Sequence, residues 1–154
     1  KAKIDKQIAA KENPFDTVNQ LAGVLANTTN KTRPNQAVDF LEGFLAEHKN
    51  ALSFPTEDGT PDQAQVNYWT AKLYAKLVYA YQFMMANKFT GSDGKTIDTT
   101  KEQLKYIDLY LAIASDPASH PTIPEEDKTL YVGYTYDNVK DFTSLKSSLS
   151  KGGV

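Results

Sequence analysis

Two histidines, nine tyrosines, nineteen carboxylates and no cysteine are the groups with which this 154-residue chain could do chemistry. The lack of cysteine excludes thiol catalysis, thiolate metal sites and disulfides. His48 and His120 are too few for a multi-histidine metal centre. Di-iron bundles place Glu-x-x-His on two helices. Neither histidine has a glutamate three residues before it; Glu47 merely precedes His48. The Gly-x-Gly-x-x-Gly fingerprint, the Gly-x-x-x-x-Gly-Lys-Ser/Thr phosphate loop and the Gly-x-Ser-x-Gly elbow are all missing. Arg33 is the sole arginine, which argues against a site that clamps phosphate or carboxylate groups. These residue types predict a protein that is not an enzyme and holds neither metal nor cofactor.

Four weaker signals remain. His48 falls on an apolar stripe, four residues after Phe44 and four before Leu52. A histidine there could ligate a porphyrin or switch protonation near neutral pH; a partly buried ring bonded to a carbonyl or water is the plainer expectation. His120 lies in a proline-rich stretch and should be exposed. The loop from Gly91 to Asp98, followed by Glu102, resembles a calcium loop. Setting Gly94 at the sixth position of an EF-hand puts Phe89 at the first and Thr100 at the twelfth, so the spacing fails. An Asp93-Gly94 turn leading into a capped helix is the expected structure. Asn27-Thr28-Thr29 and Asn30-Lys31-Thr32 are adjacent glycosylation sequons in a polar loop.

The strongest signal is the segment 61–88. Val66, Tyr68, Trp69, Leu73, Tyr74, Leu77, Val78, Tyr79, Tyr81, Phe83, Met84 and Met85 cover most of its circumference at about 100° per residue. A polar stripe through Gln65, Lys72 and Lys76 is the main interruption. An ordinary surface helix leaves far more of its face polar. Three readings follow: a central core helix, a helix offering a second apolar face to a partner, or the wall of a ligand groove. Tyr68, Trp69, Tyr74, Tyr79, Tyr81, Met84 and Met85 are the candidate interface or groove residues, with His48 as a ligand contact. Tyr131, Tyr134 and Tyr136 form a second tyrosine cluster.

The elements that position these residues are helical. Ile4 and Ile8 mark a short helix over 3–12, broken by Asn13-Pro14. Phe15, Val18, Leu21 and Leu25 mark a second over 14–26. From Pro34 a third carries Val38, Leu41, Phe44 or Leu45, His48 and Leu52. Thr60-Pro61-Asp62-Gln63 reads as a capping box opening the 61–88 helix. Thr99 with Glu102 reads as another, opening a helix through Leu104, Ile107, Leu111 and Ala114. Pro117, Pro121 and Pro124 make an extended connector over 116–136. Its 128–136 part reads as helix or strand, with helix favoured. Asp137 should cap a last helix carrying Val139, Phe142, Leu145 and Leu149. The sum is one domain over 1–154, an all-α up-and-down bundle of four principal helices with short extra helices at the N-terminus.

Net charge is −2, so there is no basic footprint for nucleic acid. No apolar run approaches the ~18 residues of a membrane span. The chain begins at Lys1, which reads as a removed targeting segment or a trimmed chain. With the lack of cysteine, this points to an extracytoplasmic place: secreted, surface or lumenal. Leu104, Ile107, Asp108 and Leu111, followed by a tyrosine-rich segment and a final helix, loosely resemble the lumenal extrinsic subunits of photosystem II over about a third of the chain. This chain lacks the arginines of that family. The expected mode of action is protein–protein assembly, as a structural, filament or surface subunit, with a protein partner or by self-association. A small-ligand-binding bundle is the alternative. An extrinsic stabilising subunit of a larger complex, which the resemblance implies, is the second.

Overall fold

The computed structural model describes residues 2–26, 36–54, 56–121 and 135–152. Of these, 72% are helical and none forms a strand. The described residues form six α-helices in order: α1 Ala2–Ala9, α2 Phe15–Ala26, α3 Gln36–His48, α4 Gln63–Ala86, α5 Thr100–Ala114 and α6 Val139–Gly152. Short 3-10 turns continue α3 over Lys49–Ala51 and follow α5 over Pro117–Ser119. The protein is an all-α helical bundle. Asn27, Asn30, Arg33, Pro34, Pro124, Tyr131 and Tyr134, and the helix-or-strand reading of 128–134, lie outside the described residues.

Helix α4 is the axis of the bundle, packed by α3, α5 and α2. Its buried set includes Val66, Tyr68, Leu73, Leu77, Val78, Tyr81 and Met84. Long-range bonds fix its neighbours' directions. Asn67, early in α4, donates from Nδ2 to Ser119 Oγ just past the end of α5 (2.9 Å). Thr99, just before α5, donates to the Tyr81 carbonyl late in α4 (2.7 Å). The two helices are therefore antiparallel. Helix α6 runs back along α5: the Asn138 N–H donates to the Tyr110 hydroxyl, and Lys146 pairs with Asp108 at 2.7 Å.

Several local expectations need correction. Asp62, not Thr60, caps α4, its carboxylate accepting from the Ala64 N–H at 3.0 Å. Thr60 is diverted into a turn where its N–H and hydroxyl both donate to Asp58. The Thr56 hydroxyl, which also donates to Asp58, and then these Thr60 bonds hold the Asp58 carboxyl well below the usual range. Pro61 accordingly precedes the helix, and Gln63 donates onward to Asn67 instead of closing a box. Asp98 accepts the Thr100 N–H and hydroxyl, while Thr99 turns inward and makes no cap bond. Asp137 takes the Thr135 hydroxyl instead of capping α6.

The buried face of α5 is Gln103, Tyr106, Ile107 and Tyr110, rotated from the Leu104–Ile107–Leu111 stripe. Tyrosine rings bury more area than leucines and here their hydroxyls find partners inside. The connector is not extended throughout, since Pro117–Ser119 is a 3-10 turn capped by Asp116. The 90–98 loop is the expected Asp-Gly turn. Gly94 adopts φ +75, a region that suits a residue without Cβ. Asp93 accepts from the Lys95 N–H, so that carboxylate serves its own loop.

Candidate functional site

The α4 residues singled out by type separate into three environments. Tyr68, Tyr81 and Met84 are buried, Trp69, Tyr74 and Met85 are half-buried, and Tyr79 is 43% exposed. Trp69 lies under Phe15 of α2, ring centroids 4.5 Å apart, and edge-on to Tyr68. Tyr68 also meets Tyr136 edge-on at 5.4 Å. The Tyr136 hydroxyl donates to the Ser119 carbonyl, and burial pushes that phenol up to about 12. The tyrosine just before α6 thus pins the start of the connector to α4 and α5. Met85 accepts through sulfur from the Thr100 hydroxyl at 3.7 Å. It ties α4 to α5.

The second environment is a carboxylate shared by two phenols. Glu42 of α3 accepts at Oε2 from the Tyr81 hydroxyl of α4 (3.1 Å) and from the Tyr106 hydroxyl of α5. The two rings stack at 6.1 Å with planes 13° apart, and Tyr74 packs against Tyr106 at 5.6 Å. Burial and then the Glu42 carboxylate hold both phenols well above the ordinary tyrosine value. A phenol that keeps its proton is a donor and not a general base, so this trio is a three-helix joint. Replacing Glu42 with alanine strands two inward hydroxyls and should cost about 1.5–3 kcal/mol. Glu42→Gln, which keeps an acceptor oxygen, should cost less. Urea titration of the two variants checks the order.

The third environment is the outward stripe of α4. Gln65, Trp69, Lys72, Lys76, Tyr79 and Phe83 fall on one face, separated by three or four residues. Tyr79 and Phe83, 44% exposed, sit one turn apart at its C-terminal end. Asn138 Nδ2 donates to the Tyr79 hydroxyl at 2.9 Å, and the Tyr79 ring leans on Phe142 of α6. An open slot of about 430 Å³ beside this stripe is lined by Phe15, Asn19, Tyr68, Trp69, Lys72, Ala75 and Asn138. Of the four candidate tyrosines on α4 only Tyr79 is exposed; Tyr68 is covered by Trp69 and Tyr136, and Tyr74 and Tyr81 pack against Tyr106 of α5. Phe83 joins the site by position, and its four-residue spacing from Tyr79 is the sequence signal for it.

His48 stands apart from this stripe. Its side chain is 37% exposed, 3.6 Å from Glu47 and 5.8 Å from the Phe44 ring. The groove beside it is lined from α1 and α3, with no described α4 residue in its wall. The structure therefore does not bring His48 and the α4 aromatics into one cavity. His120 is exposed, its Nε2 3.1 Å from the Ala114 carbonyl. Among the described residues no group of three or more histidine or carboxylate side chains is arranged to hold a metal ion.

No family model, curated protein or solved structure matches the chain. The likeness of α5 and α6 to the photosystem II subunits therefore rests on the quoted residues alone. No described helix is long and apolar enough to cross a membrane.

Proposed function

We propose that this protein is a non-catalytic, extracytoplasmic helical bundle that works by protein–protein assembly, as a structural, filament or surface subunit. The contact surface is the outward stripe of α4, and the observation that carries the reading is the exposed pair Tyr79 and Phe83. Large aromatic rings left partly in water forgo burial free energy, and aromatic residues are enriched where partners dock. The extracytoplasmic setting is supported by a chain of 154 residues without one cysteine. The same surface would serve a subunit that stabilises a larger complex.

Native mass spectrometry of the full chain over a range of concentrations tests this reading. The expected result is a mass above the monomer. The double substitution Tyr79→Ser/Phe83→Ser should weaken association about tenfold or more, and Phe83→Ser alone, which leaves the Tyr79–Phe142 contact in place, should weaken it with an unchanged helical circular dichroism spectrum. A chain that stays monomeric and carries no partner overturns the reading. The slot lined by Tyr68 and Trp69 supports a second reading, a small aromatic ligand held beside α4. Its volume lies within the range of ligand sites, and a monomer carrying a reproducible added mass would favour it.

A further inference from the structure

The groove between α1 and α3 has a floor of Ile4, Phe40 and Phe44 and a rim of Asp5, Asp39 and Glu47, and its volume is about 310 Å³. Asp39, Gly43 and Glu47 follow one another at four-residue spacing, so they form one ridge along α3. A Cβ placed on Gly43 would meet nothing within 4 Å. The glycine is therefore a notch in that ridge and not a close packing contact, although a helix interior disfavours glycine. Among the described residues neither Asp5 nor Asp39 meets a cationic side chain, and Glu47 has only His48 at 3.6 Å. An apolar floor rimmed by three carboxylates suits an ammonium carried on an apolar stem. The stem lies over the rings and the charge sits between the acids.

The chain itself presents such a group elsewhere. Lys72 and Lys76 stand on the α4 stripe that ends in Tyr79 and Phe83, and neither pairs with a described carboxylate. The Lys72 ammonium lies 5.0 Å from the Tyr68 ring centroid. Burial pushes the Lys76 ammonium pKa down, so this cation is partly shielded from water. The lysine stripe and the acidic groove share no residue.

We propose that the α1–α3 groove of one copy receives the Lys76–Tyr79–Phe83 face of a second copy, head to tail. This rests on reading the α4 stripe as the contact surface and names what covers it. Because two different surfaces pair, the contact is heterologous and extends into a ring or an open chain instead of closing as a two-fold dimer. The charged part of the contact weakens with salt, since exposed charges are screened within about 8 Å at physiological ionic strength.

Sedimentation velocity of the full chain at low and high salt, with three variants, tests the pairing. Wild type should associate at low salt and less at high salt. Glu47→Lys, Lys76→Glu and Gly43→Leu should each weaken association about tenfold or more. Gly43→Leu fills open space, so its helical spectrum should persist. An equal mixture of Glu47→Lys and Lys76→Glu should recover association, because each junction then joins opposite charges again. If Tyr79→Ser/Phe83→Ser abolishes association while Glu47→Lys and Gly43→Leu leave it intact, the groove is not the acceptor. That result overturns this inference and leaves the α4 face as the contact. A wild-type chain that is monomeric at low salt overturns the pairing and, if it also carries no partner, the assembly reading.

Discussion

Phe142→Ala should destabilise the protein by about 3–5 kcal/mol, the range for emptying a buried phenylalanine site, and should free α6 from the bundle. Phe142 is 0% exposed and is the only described residue of α6 in the buried class. Leu145 and Leu149 pack half-buried against the core, and Val139 faces solvent. The Phe142 ring meets Tyr110 edge-on at 5.0 Å and Tyr79 at 5.5 Å. One fully buried side chain thus anchors a 14-residue helix. The Lys146–Asp108 pair sits on half-exposed side chains, and exposed pairs add at most about 1 kcal/mol. Hydrogen exchange reads the outcome directly. In the variant the α6 amides should lose protection while those of α4 keep theirs. Loss of protection throughout would instead mean that α6 is integral to the cooperative core.

Raising the pH above about 10 should unfold the protein cooperatively, with phenolate absorbance and helix loss moving together. Tyr74, Tyr81, Tyr106, Tyr110 and Tyr136 all have pKa values raised above 10.0, chiefly by burial. In the unfolded chain these phenols lose their protons near 10; in the folded chain they hold them to higher pH. Above 10 the unfolded state therefore binds fewer protons than the folded one, and stability falls as pH rises. Below 10 both states keep the protons and the contribution is fully present. Each such phenol costs up to about 1.4 kcal/mol per pH unit over that window, less where solvent screens it. Five together act against a net stability of only about 5–15 kcal/mol in an ordinary domain. The triple variant Tyr74→Phe/Tyr81→Phe/Tyr106→Phe should shift the alkaline midpoint upward if burial of these phenols drives the transition. An unmoved midpoint would assign it to the lysines.

Helix positions were legible in the linear chain because the signals that set them are local. Asn13-Pro14 ends one helix and permits the next. Asp58-Gly59 and Asp93-Gly94 break the chain on either side of α4. The apolar spacing between those breaks is helical throughout, and α4 spans Gln63–Ala86 inside the expected 61–88. Cap identities were less legible. Thr60, Asp62, Asp98 and Thr99 are all competent acceptors within a residue or two of a helix start, and only the path of the turn decides which one meets an N–H.

Which face of each helix is covered was decided by tertiary structure. Spacing around α4 offered apolar residues on nearly every side, and no local rule says which side remains open. The open side is Tyr79–Phe83 because α2, α3 and α5 take the others. The same holds for Glu42, whose two donors lie 39 and 64 residues away in sequence. In the chain it is one more carboxylate on an amphipathic helix. The fold alone puts two phenols on it, since a hydrogen bond depends on a separation in space that helix periodicity does not encode.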